Sequence, residues 1–120
     1  MSYKKKIEHF YLSDGLRDTN QLQEILHDDV QLEWDSSEGK LNYSKADILN
    51  LAENLKQNFE SSKVIISNLI EEENKVVLKY THFVSTIENP KEEMPIAKMV
   101  VIWEFSGDKL YKGYQISQPA

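Results

Sequence analysis

Cysteine is absent from the chain, which excludes a disulfide frame, a thiolate metal site and a cysteine nucleophile together. Arginine occurs once, at Arg17, and the only basic run is Lys4-Lys5-Lys6. The formal net charge is −6 and the sequence pI is near 5.0. Such a field repels phosphate backbones and anionic headgroups, so neither nucleic acid nor a membrane surface is expected as a partner. Long apolar runs are missing too: the longest, Met99 to Trp103, falls far short of the roughly 20 residues that cross a bilayer. The four glycines, at positions 15, 39, 107 and 113, are scattered, and no phosphate-cradling loop can be built from them. His9, His27 and His82 stand far apart in sequence, without the spacing of a metal site. No metal and no cofactor is expected.

What is present suits a globular domain. The hydrophobic share is 40% and the charged share 28% over 120 residues, enough to bury a real core in one domain spanning residues 1–120. Glu8, His9, Ser13 and Asp14 interrupt the apolar stretch that would have to follow the lysines of an export signal. No export signal is visible, and with the lack of cysteine this points to the cytoplasm.

Ile7, Phe10, Tyr11 and Asp14 follow helical spacing, predicting a first helix from near Tyr3 to Asp14 with Gly15 as its stop. Leu22, Ile25 and Leu26 predict a short second helix ending before Asp28-Asp29. Val30, Leu32 and Trp34 alternate with Gln31 and Glu33, which is strand period. After a turn at Ser36-Ser37-Glu38-Gly39, Ser44 and Asp47 form a capping-box pair. They open a third helix whose stripe is Ile48, Leu51, Ala52, Leu55 and Phe59. Four strands follow: Val64 to Ile70, Lys75 to Ile87, Ile96 to Phe105 and Leu110 to Ser117, the last two joined at Ser106-Gly107-Asp108. Helices followed by an antiparallel meander make an α+β layout.

The strand from Ile96 to Phe105 is apolar on both parities. Ala97, Met99, Val101, Trp103 and Phe105 share one, and Ile96, Val100 and Ile102 the other. A sheet covered by helices on one side only would leave the second set wet, so a homodimer is expected through an outer face carrying Val77, Phe83, Val100 and Ile102. In the preceding strand, Val76, Leu78 and Val84 share a parity with Tyr80 and His82, which places that set inside.

The order of elements, carried by QLQEILHDDVQLEW, by the helix from Ser44 to Phe59 and by the hairpin WEFSGDKLYKGYQIS, resembles the nuclear-transport-factor-2-like superfamily, which includes the SnoaL-like proteins. The resemblance covers nearly the whole chain. It implies a cone: a strongly curved, mostly antiparallel sheet wrapped around helices, with a pocket at the open end. It also implies a range of functions, from ketosteroid isomerases, polyketide cyclases, scytalone dehydratase and limonene-epoxide hydrolase to non-catalytic binding and dimerising domains. Fold alone does not choose among them.

Aligning Asp28-Asp29 with the family's acidic pair puts the isomerase tyrosine at Phe10, its base at Trp34 and its acid at Val101; none of the three is the required type. Tyr11 and Asp35 are one position away, and one step turns a helical side chain by about 100° or sends a strand side chain to the opposite face. The epoxide-hydrolase arrangement needs a buried arginine between two carboxylates, and Arg17 falls in a turn.

Three functions follow. The first is a small-molecule binding domain for a hydrophobic ligand, with a mainly apolar pocket lined by Phe10, Trp34, Tyr80, His82, Val101, Trp103 and Tyr114. The second is a cofactor-independent lyase, isomerase or cyclase with His82 as acid or base, because imidazole titrates near neutrality, and Tyr80 or Asp35 as orienting or oxyanion groups. The third is a dimeric interaction module whose cone is filled by its own side chains. His9 is expected on a solvated helix face and His27 at a helix end.

Overall fold

Ser2 accepts from the backbone N–H of Lys5 and starts α1 (Tyr3–Leu12), which buries Ile7, Phe10 and Tyr11. The computed structural model describes residues 2–120. The helix stops two residues before the expected end, with Asp14 in the left-handed region at φ 61°, a conformation short polar side chains tolerate. Gly15 therefore does not supply the left-handed stop. It is glycine for a different reason: a Cβ there would sit 2.4 Å from both the Phe10 ring and the Phe10 carbonyl oxygen.

A short 3-10 turn (Gly15–Arg17) leads to α2 (Thr19–Ile25), capped by the Asp18 carboxylate on the amides of Asn20 and Gln21. β1 (Leu26–Ser36) and β2 (Gly39–Tyr43) form a hairpin, and α3 (Lys45–Asn58) begins with the expected Ser44/Asp47 capping box. The long strands β3 (Ser61–Glu72), β4 (Lys75–Ser85), β5 (Met94–Ser106) and β6 (Lys109–Pro119) complete the chain. β2 was not expected. It has no fully buried residue, so it lacks the alternation by which a strand is read. His27 belongs to β1 instead of a helix end, and its Nδ1 accepts from the Asp29 amide at 3.0 Å.

The sheet runs in the order β2-β1-β6-β5-β4-β3. All neighbours are antiparallel except β1 and β6, which are parallel. It curves around the helices, aided by register breaks that add local twist. The core fills the concave side: Ile7, Phe10 and Tyr11 from α1 and Ile48 and Ala52 from α3 meet Val76, Leu78, Val101 and Trp103 of the sheet.

Three one-residue breaks change which side chains face inward; one is at Ser67, the extra residue of β3 between Ile66 and Asn68, and the other two lie nearer the last strands. Opposite Glu104 and Phe105, Tyr111 is an extra residue in β6, because Phe105 pairs with Leu110 and Glu104 with Lys112. Opposite His82 and Phe83, Ile96 is extra in β5, between Ala97 and Pro95. One inserted residue moves the rest of a strand to the opposite face. Hence Leu110 is buried while, further along, Gly113 and Gln115 point inward and Tyr114 outward.

Gly15→Ala is expected to lower unfolding free energy by about 1–3 kcal/mol through overpacking against Phe10. Urea denaturation checks this, and an unchanged midpoint would contradict the close approach.

Candidate functional site

A cavity of about 190 Å³ lies between the helices and the concave face of the sheet. α1 contributes Phe10 and Tyr11, α3 contributes Leu51 and Leu55, and the sheet contributes both tryptophans of the chain, Trp34 and Trp103. Among the described residues, no Asp, Glu, Lys or Arg lines it. Trp34, Leu51, Leu55, Ile96 and Met99 are half-buried and mark its more open side, whereas Trp103 and Leu110 are buried.

Most polar groups in this lining are engaged by the protein. Trp103 Nε1 donates to Tyr11 Oη at 2.9 Å, and the indole lies across Gly113, where a Cβ would come within 2.6 Å of its ring. Burial pushes the Tyr11 phenol up to about 12, against the hydrogen bonds from Trp103 and Tyr80 that hold it down. Tyr80 is likewise raised well above the ordinary tyrosine value, by burial first and then by the neighbouring Tyr11; its hydroxyl also reaches Met99 Sδ at 3.0 Å. Both phenols are therefore neutral hydrogen-bonding groups. Trp34 Nε1 donates to Ser117 Oγ at 2.7 Å.

His82 is 2% exposed, and its Nε2 lies 2.6 Å from Ser62 Oγ. Burial lowers its pKa below the ordinary 6.5; Asp14 opposes that and Arg17 reinforces it. The ring is thus a neutral imidazole at pH 7 with Nδ1 as its second nitrogen. Arg17 itself is held away from ligand chemistry. Its guanidinium binds both carboxylate oxygens of Asp14, the shortest contact being 2.8 Å, and donates to the Phe59 carbonyl at 3.0 Å.

Of the residues singled out in the sequence, Phe10, Trp34, Tyr80, His82 and Trp103 meet at this cavity. Three do not. Tyr114 is 43% exposed on the convex face beside Ile102, because the extra residue Tyr111 reverses the parity counted from Leu110. Asp35 is exposed and follows the inward-facing Trp34, so strand alternation turns it outward. Val101 does point inward, but it is packed in the core in register with Leu78 and Gln115 and does not reach the cavity. His9 is exposed on α1, as expected.

Gln115 and Ile96 were missed, and both line the cavity. Leu110, Tyr114 and Ile116 make the even parity of the last strand the apolar one, so nothing short of the Tyr111 bulge reveals that Gln115 is the inward residue. Ile96 is turned by the other bulge.

No family model matches the sequence, and no curated protein matches it either. Solved structures do match, over nearly the whole chain. IdmH, a proposed polyketide cyclase from Streptomyces antibioticus, superposes with a TM-score of 0.74 at 12% identity, covering 97% of this chain and 92% of that one. A nuclear-transport-factor-2-like protein of unknown function from Burkholderia pseudomallei gives 0.68 at 15% identity, covering 96% and 90%. A proposed SnoaL-like polyketide cyclase from Jannaschia gives 0.69 at 11% identity, covering 94% and 83%. Similarity at this level establishes a shared fold.

The His82 environment makes stability pH-dependent. The unfolded chain binds the imidazole proton more readily, so the contribution of His82 declines as pH falls below about 6.5 and levels off beneath the folded-state pKa. The stability difference between wild type and His82→Gln, followed by urea denaturation on acidification from about pH 7.5, is expected to shift against the wild type. A difference that grows in favour of the wild type would contradict a depressed pKa.

Proposed function

We propose that this chain, which has the nuclear-transport-factor-2-like fold, is a binding domain for one small, uncharged, largely apolar ring compound held in the cavity. The observation that carries this is an interior space of about 190 Å³ with no charged side chain among its described lining residues. An apolar cavity of about 150 Å³ accepts benzene, so this one suits a single ring or a fused pair. An ionised ligand would be buried without a counter-charge, which is strongly unfavourable. Two proteins of the same fold are proposed polyketide cyclases. We read this chain as taking something smaller, because a multi-ring polyketide exceeds the space. An open interior also argues against a filled cone serving only as an interaction module.

A second reading, cofactor-independent proton transfer in a lyase, isomerase or cyclase, is favoured by His82. It is neutral at pH 7, its Nε2 is steadied by Ser62, and its other nitrogen is left for a substrate proton. Tyr80 would orient the substrate; Asp35, on the other face, would not take part.

We also propose that a second copy covers the convex face of the sheet. Val77, Ile102 and Tyr114 stand side by side across three strands, with Val100 and Ile116 adjacent, and Val100, Ile102, Tyr114 and Ile116 are exposed. Phe83 lies six residues along β4 from Val77, opposite Pro95, outside this patch.

Because both tryptophans line the cavity, their fluorescence reports occupancy. Titration with neutral one- and two-ring aromatics, toluene to naphthalene, should give a saturable one-site change, weakened about tenfold or more in Trp34→Ala as a large aromatic contact is lost. No saturable change with any probe would remove the binding reading. A substrate whose turnover vanishes in His82→Ala while binding persists would establish the second reading in its place. For the assembly, sedimentation should give the mass of two chains for wild type and one for Ile102→Asp. A monomeric wild type at tens of micromolar would refute the interface.

A further inference from the structure

Gln115 is 8% exposed and lines the cavity from β6, between Trp34 of β1 and Val101 of β5 in the ladder. The other polar side chains of the lining have partners: Trp103 with Tyr11, Trp34 with Ser117, His82 with Ser62 and Tyr80 with Met99. The Gln115 amide has none among the described residues. Yet no side-chain nitrogen or oxygen there is both sealed off and unpartnered, so this amide opens into the cavity. An amide that faces the cavity without a protein partner adds nothing to folding that a hydrogen bond would supply, and apolar side chains of similar size would fill the position.

We infer that Gln115 selects the ligand's functional group, and that the ligand is a neutral ring compound carrying a donor and an acceptor side by side, as a ring amide does. This rests on the reading of the cavity as a binding site. A primary amide presents a carbonyl acceptor and N–H donors in one plane, matched by the N–H and C=O edge of a lactam through two antiparallel hydrogen bonds. A carboxylate or an ammonium would satisfy the amide but bring a charge that no lining residue neutralises. The neighbouring Trp34 indole, tied to Ser117, offers an aromatic wall against which a flat ring packs. His82 lies four residues along β4 from Leu78, which shares Gln115's ladder row. That is about 13 Å along the strand direction, so the recognised edge is separate from the imidazole and Gln115 can be tested without touching it.

The probes are 2-quinolone, a fused-ring lactam, and naphthalene, its hydrocarbon counterpart. Affinities are measured by calorimetry on wild type, Gln115→Leu and Gln115→Met, with circular dichroism to confirm that each variant is folded. Wild type is expected to bind the lactam at least about tenfold more tightly than naphthalene, since an unmet buried amide penalises the hydrocarbon. Both variants should lose that preference, keep naphthalene binding, and melt without ligand no lower than wild type. Equal affinities in wild type, or a preference that survives both substitutions, would overturn the assignment while leaving the cavity reading intact. A lower melting temperature in both variants would instead make the amide a structural group and also overturn it. If neither probe binds folded wild type, the assignment and the cavity reading fall together.

Discussion

The hydrogen bond from Trp103 to Tyr11 fastens the first helix to the middle of the sheet in a region closed to water, and the rest of the concave side is arranged around it. An indole N–H must find a partner when buried, and Tyr11 supplies one because burial keeps its phenol protonated and neutral. Its ring meets Phe10 edge-on at 5.2 Å and Tyr80 at 5.0 Å. The Trp103 indole needs space on the sheet, and Gly113 provides it by having no side chain. This aromatic group closes one end of the concave side, and the half-buried residues of β1, α3 and β5 leave the other end more open.

Charge is kept out of that space by local pairing. Arg17, the one arginine, is occupied by Asp14 and the Phe59 carbonyl, and Lys45 by Asp28 at 3.0 Å and the Leu26 carbonyl at 3.3 Å. The cavity is left to neutral groups, and a low-dielectric interior of that kind discriminates by shape and by unmet hydrogen-bonding capacity rather than by Coulomb attraction. An epoxide-hydrolase arrangement, with an arginine held between two carboxylates, is not what Arg17 forms: it has one carboxylate and one carbonyl.

Much of this architecture is written in local pattern. The stripe of α1, the capping box of α3 and the four long strands follow from spacing that any environment would respect, because amphipathic periodicity and cap chemistry are properties of a few neighbouring residues. The inward set on β4, including Tyr80 and His82, could also be read, since its parity is the more apolar one. β2 left no trace because none of its residues is fully buried and only Tyr43 is half-buried.

The sequence by itself determined the fold class, the neutral and mainly apolar character of an interior that includes several aromatics, and the exclusion of cysteine chemistry. Tertiary structure alone decided which residues of the bulged strands β5 and β6 reach the cavity. Tyr111 and Ile96 are ordinary residues in sequence, but each is the extra one in its ladder, and a bulge is defined only by the partner strand it fails to match. From those two insertions come the outward turn of Tyr114 and the inward places of Gln115 and Ile96. Strand parity has a period of two, so a single residue of register reverses it, and the residue that sets the register lies on another part of the chain.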